Sequence, residues 1–361
     1  MKIFDVNTSF LKQQFLEFPD VLYRDQPLWT VQLGQDIEQA FSVNVYSRSE
    51  KEHAFRWLVY DDLNRPSGRI AAFPNREDGW GAFGFFECVN CQATANLLLS
   101  TAEKWLLQNG CKKMLGPLNY NDCVRFWGLL TEGFNKPALY LENYNNSYYE
   151  KLIRDYGLIE YETFFACMVS LHEMPLEKLH RVADRFRAMH QITVKQLSFE
   201  ELEHFARDIH YIYIQCGDPC SRFARLSMKD IADLIHMSQV LIDDNLLWVA
   251  YQREIPVGVL AFMPDLNQIL RKKLKRERST VINLNGFVLS AVPDELNFEV
   301  EIVLGDAFCT ALARTGKNYD LHFCGINKHN NRMISFLTMM NAMITTTHKT
   351  FINTPHHGTL H

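Results

Sequence analysis

No apolar stretch in the sequence is long enough to cross a bilayer, and the richest, Leu246 to Met263, is broken by Gln252, Arg253 and Glu254. The opening segment is no secretory signal either, because Lys2, Asp5, Lys12 and Glu17 interrupt it. These absences lead us to expect a cytoplasmic protein without a membrane partner. A surplus of either charge is also missing, with 37 Lys plus Arg against 42 Asp plus Glu in 361 residues. That balance argues against a generic nucleic-acid coat, which gathers phosphate affinity from excess Lys and Arg. Glycine and proline are sparse, at 17 and 12, so collagen-like repeats and disorder are excluded. The nine cysteines are scattered through apolar segments and build no disulfide framework. Cys88-Val-Asn-Cys91 has the spacing of a zinc or redox half-site, but no second half follows, and no metal is expected. The histidines from His348 to His361 read as a polar terminus with at most adventitious metal affinity.

What is present is apolar mass. A 47% hydrophobic and 12% aromatic composition suffices for two packed cores at about 150 residues per domain. Three strand patterns, FRWLVYDD, GRIAAFPN and WGAFGFFECV, are separated by the turn formers Asn64 to Gly68 and Arg76 to Gly79. Ala95, Leu98, Leu99, Ala102, Trp105 and Leu106 then recur at helical spacing, and Gly110 marks the stop. A strand at Lys113 to Leu118, a polar loop, a helix from Ser147 to Tyr156 and a strand from Tyr161 to Leu171 follow. After Pro175 the grammar restarts. A linking helix and two amphipathic helices precede a hairpin, LLWVAY with PVGVLAFMP; INLNGFVLSAV and three further pattern changes lead to a last strand at Ile344 to Ile352. The second half repeats the order of the first, so we expect a mixed α/β (α+β) tandem duplication, with domains at 1–174 and 175–361, each a mostly antiparallel sheet flanked by helices.

That element order resembles the GNAT (acyl-CoA N-acyltransferase) fold. Specific stretches sharpen the likeness: FPDVLYRDQPLW, GRIAAFPN, FGFFE, GPLNYND, and the run from Gly128 to Leu158 in the first half, with AFMPDLNQIL in the second. They are similar to a family of bacterial two-domain GNAT-like proteins of uncharacterised function. The resemblance implies an acyltransferase working on an unknown amine. It also implies a glycine-rich loop for the acyl-CoA pyrophosphate at a helix start, where successive backbone N–H groups face the phosphates. In the second half that place reads Asp294-Glu295-Leu296-Asn297-Phe298-Glu299-Val300-Glu301, without glycine and with acids where the anion would sit. Glu87 to Thr94 in the first half lacks glycine too. Acyl-CoA is therefore a disfavoured cofactor. The family's proton-donating Tyr falls on Leu337 in one half and Ile153 in the other, with Tyr148 and Tyr149 one turn earlier than Ile153.

Polar residues gather where strand-like runs end. Asn119, Tyr120, Asn121, Tyr140, Asn143, Asn267 and Gln268 could orient an amine, with Asp265 or Glu142 as a base for an ammonium and Tyr148 as an acid. Each Asn or Asp taken alone reads more readily as a turn or cap residue. The basic run holding Arg271, Lys272, Lys273, Lys275 and Arg276 could hold a phosphate-bearing ligand, or form a solvated connector. Three functions stay open: an N-acyltransferase, a non-catalytic binding protein of the same fold, and an aminoacyl-tRNA-dependent transferase, a class that resembles this chain in architecture and needs no CoA loop.

Overall fold

Residues 55–60, 66–75 and 80–88 form the meander read from the sequence, as β2 (Phe55–Tyr60), β3 (Pro66–Asn75) and β4 (Trp80–Cys88), paired antiparallel with Trp57 opposite Ile70 and Ala72 opposite Phe83. The structure is a computed structural model, and it describes residues 1–31, 34–39, 41, 54–75, 79–119, 127–140, 142–216, 227–238, 246–274, 276–290 and 299–353. These strands are apolar on both faces because each face is covered. Trp57, Val59, Ile70 and Phe83 pack with Leu98, Leu99 and Ala102 of α3 (Gln92–Gln108). Leu58, Ala71, Phe73 and Phe85 instead join Phe15 of α1 (Ser9–Leu22). The Arg69 side chain is fully buried in the α1 face, where it donates to both Glu87 oxygens at 2.6 and 3.1 Å and to Phe15 O at 2.6 Å. Its guanidinium also lies over the Phe15 ring. A buried charge is tolerated when its hydrogen bonds are met in this way.

The chain forms two compact units, Met1–Phe164 with Thr346–His361, and Phe165–Thr345. The chain passes from one unit to the other at 164/165, and the last described strand belongs to the first unit from Thr346 onward. In that first unit β1 (Lys2–Asp5) opens the strand order β1-β2-β3-β4-β5-β13, where β5 is Lys113–Gly116 and β13 is Met343–Ile352. A further strand, β6 (Leu129–Glu132), pairs with β13. α2 (Gly34–Gln39) and α4 (Tyr149–Tyr156) complete the unit, α4 ending on the left-handed Gly157.

The second unit orders its strands β7-β12-β11-β10-β9-β8: β7 (Ile159–Ser170), β8 (Ile192–Gln196), β9 (Leu247–Gln252), β10 (Ile255–Pro264), β11 (Ile282–Ser290) and β12 (Tyr319–Asn327). Its helices are α5 (Leu176–His190), α6 (Leu202–Cys216), α7 (Met228–Ser238), α8 (Leu266–Lys273), α9 (Glu299–Ala313) and α10 (Asn331–Met339). The two halves share one diagnostic feature. β4 and β5 run parallel with α3 between them in sequence, and β11 and β12 run parallel with α9 between them, while the neighbouring meander strands are antiparallel. A parallel pair needs a crossover, and in both halves the helix supplies it. Among the described residues, no helix is long and apolar enough to cross a membrane.

Candidate functional site

In the first unit, the polar segment after β6 folds back on β6 and β13 and gathers amides, a carboxylate and an imidazole away from water. Asn145 serves as a surrogate strand: its Oδ1 accepts from Leu130 N–H at 2.8 Å and its Nδ2 donates to Leu130 O at 3.0 Å. Asn143 Nδ2 donates to Gly128 O at 2.5 Å, and its Oδ1 accepts from Asn119 Nδ2 at 3.1 Å. Asn119 Oδ1 in turn accepts from Phe85 N–H at 2.7 Å. An unbroken amide relay thus runs from β4 to Gly128. At the β4 end, Arg69 opposes Glu87 and Ala71 opposes Gly84, so Phe85 and Phe86 together face Ile70, a β-bulge with Phe85 at φ +48°.

Glu142 is buried beside this relay. Its carboxylate accepts from Leu139 N–H at 3.2 Å and from the Thr346 hydroxyl at 3.4 Å. His348 of β13, also buried, brings its Nε2 to 3.4 Å from Asn143 O. A carbonyl oxygen only accepts, so this contact assigns the proton to Nε2 and leaves Nδ1 with the lone pair. Burial holds the His348 imidazole below the usual histidine range, while the Glu142 charge and the Asn143 carbonyl pull it back up. The pair unites residues 206 positions apart, Glu142 on a loop and His348 on the last strand. The sequence reading gave His348 to a polar terminus, although it also assigned a strand through Ile352. That strand, with its alternating ITTTHKTFI, was the signal that carried the histidine into the sheet.

The other expected residues fare unevenly. Tyr148 precedes α4 with its hydroxyl committed, donating to Cys88 O at 2.8 Å and accepting from Asn146 Nδ2 at 3.3 Å. Desolvation raises its phenol above the ordinary range. Tyr140 is half-buried ahead of Glu142. Tyr120 and Asn121 lie outside the described residues, as do Lys275 and the acidic loop from Asp294 to Phe298.

In the second unit the candidate residues are engaged in local structure. Asp265 is buried as the N-cap of α8, accepting from Asn267 N–H at 3.2 Å and Gln268 N–H at 3.1 Å, with Arg271 at 3.3 Å. No lone pair is left facing solvent for an ammonium. Gln268 is a buried strut, donating to Glu277 and Val281 O and accepting from Asn283 N–H. Asn267 is half-buried in the first turn of the same helix. Arg271 is buried between Asp265 and Glu277, and Lys272 donates to Val281 O, so the basic run is in part the end of α8. Lys273 and Arg276 remain exposed. At the start of α9, Glu301 is buried against Arg332 at 2.7 and 3.0 Å, which neutralises that helix terminus from within.

Two solved structures share this architecture. A tandem GNAT protein from the clavulanic acid biosynthesis pathway superposes with a TM-score of 0.58 at 8% identity, over 97% of each chain. A glucosamine N-acetyltransferase region of a fungal multi-domain β-N-acetylglucosaminidase gives 0.59 at 10% identity over 97% of this chain, which spans 38% of that protein. The chain has the tandem GNAT fold. No protein-family model matches it. In sequence it is similar to Protein YghO of Escherichia coli, 21% identical over 272 residues, which cover 73% of this chain and 68% of that one. It is likewise similar to a bacterial ceramide synthase of Caulobacter vibrioides, 22% identical over 279 residues, 75% of this chain and 71% of that one.

Proposed function

We propose that the protein is an N-acyltransferase that joins an acyl group to the amine of a small substrate, with His348 as the base and Glu142 as its electrostatic partner. The observation that carries this reading is the His348 and Glu142 pair itself. A buried imidazole whose Nε2 faces Asn143 O and whose Nδ1 keeps its lone pair, within the field of a buried carboxylate that no Lys or Arg neutralises in any ion pair among the described residues, is expensive to keep and can accept a proton at Nδ1. The amine nitrogen attacks the acyl carbonyl, the C–N bond forms as the bond to the leaving group breaks, and the ammonium proton passes to Nδ1. Glu142 then stabilises the imidazolium. The tandem GNAT fold supports this chemistry, and the likeness to a ceramide synthase suggests a long-chain acyl group and an amino alcohol, since a ceramide is the N-acyl amide of such an amine.

The test is to incubate the full chain with acetyl-, octanoyl- and palmitoyl-CoA and a panel of amines including sphinganine, and to detect amide by mass spectrometry. We expect amide from the wild type, and a loss in turnover of about 10²–10⁴-fold in His348→Gln and Glu142→Gln. Amide formed undiminished by both variants would remove these residues from the reaction. No amide with any donor would favour a second reading, a non-catalytic binding protein. The observation behind that reading is the start of α9, where Glu301 and Arg332 occupy the helix terminus that an acyl-CoA phosphate would need.

A further inference from the structure

We infer that the second unit carries its own ligand site, separate from the polar cluster of the first, and that it takes a small organic acid with a flat apolar body. A cleft of about 580 Å³ opens between α5, the C-terminal half of α9 and strands β8 and β9. That volume is in the range of small-molecule sites. Among the described residues the cleft's one carboxylate, Asp306, is buried and already engaged, accepting from Arg187 at 2.6 Å and lying 3.1 Å from His180 Nδ1. Arg187 is also tied to Asp184 at 2.7 Å, so this end of the cleft is a fixed, internally paired wall.

The opposite end is different. Thr310 and Arg314 stand one turn apart on the α9 side of the lining, and neither side chain has a hydrogen bond or ion pair among the described residues. Asp306 is turned to Arg187, and Arg314 stands in no ion pair among the described residues. An anion there would gain a charge-assisted contact from the guanidinium and a hydroxyl donor from Thr310. Between the two ends, Ala307 and Ala311 leave room where larger residues would fill the cleft, and Trp248 of β9 supplies an aromatic wall. An acid group alone would use only Arg314 and Thr310. A flat apolar body is what the alanines and the indole add.

The probe is 2-naphthoate, with its neutral isostere 2-naphthamide, titrated by calorimetry into the full chain, into Arg314→Ala and into Ala311→Trp, each checked for an unchanged melting temperature. We expect saturable binding of one naphthoate per chain, about tenfold or more tighter than the amide. Arg314→Ala should abolish that difference, and Ala311→Trp should abolish binding of both. Arg314 is exposed, so its variant tests the charge without risk to folding. Equal affinity for acid and amide, binding unchanged in both variants, or no saturable binding would each overturn the site. His348→Gln should bind naphthoate as the wild type does, since the two sites are independent; a matching loss in that variant would also overturn it.

Discussion

At the scale of single residues, His348 gives the clearest handle. Its imidazole is held below the usual range of about 6.5 by burial. Between that lowered value and the ordinary one, the unfolded chain binds the proton and the folded chain does not, so stability rises with pH across the window and falls as pH drops below about 6.5. One such group contributes a slope of at most about 1.4 kcal/mol per pH unit. Urea midpoints of the first unit's transition, measured at pH 7 and pH 5, should therefore fall less in His348→Gln than in the wild type. An identical fall in the two proteins would mean that His348 is protonated in the folded state as readily as in the unfolded one. The Glu142 partner sharpens the point, because Glu142→Gln removes the charge that raises the imidazole and should steepen the acid loss.

Among elements, two local devices engage residues that the sequence offered as candidates for a site. The β4 bulge puts Phe85, a bulky side chain, in the left-handed region, at a cost of about 1–2 kcal/mol. Asn119 holds it there by taking its N–H. Asn119→Ala removes one partner of that buried donor and one of the facing Asn143 oxygen, and should lower the first unit's stability by about 1–3 kcal/mol in urea titrations; a change under about 0.5 kcal/mol would show the relay to be incidental. Asp265→Ala removes a cap worth about 1 kcal/mol and takes a carboxylate partner from the buried Arg271, so the second unit should lose more than the cap itself. Acyl transfer per folded molecule should be unchanged in this variant; a catalytic loss there would restore Asp265 to the site. Meander, crossover helices and hairpin were legible because their apolar period and turn residues are local. The roles of Asn119, Asp265, Gln268 and Arg271 were not, since a polar side chain at a strand end reads the same whether it caps a helix, holds a bulge or faces a ligand. What separates these cases is which distant backbone group the fold delivers to it.

The whole molecule adds a constraint that no local pattern contains, because the first unit is completed by the last strand of the chain. β13 pairs with β5 at Phe351 and Ile352 and with β6 at Thr347 to Lys349, and Asn353 accepts from Met114 N–H across 239 residues. Phe351 is fully buried in the core with Leu98, Leu129 and Ile153. Closing so long a loop is slow, and its contacts reward the chain only after the ends have met. The second unit, by contrast, is continuous from Phe165 to Thr345. Removing residues 346–361 should therefore leave the second unit folded and the first open. Hydrogen exchange read by mass spectrometry would then show protection lost across β2 to β5 and kept across β9 to β12. Phe351→Ala in the full chain makes the same point without truncation, with an expected cost of about 3–5 kcal/mol confined to the first unit's transition. Protection retained in β2 to β5 after the truncation would mean that the first unit closes without its C-terminal strand, and that the chain end is an addition to a fold already complete.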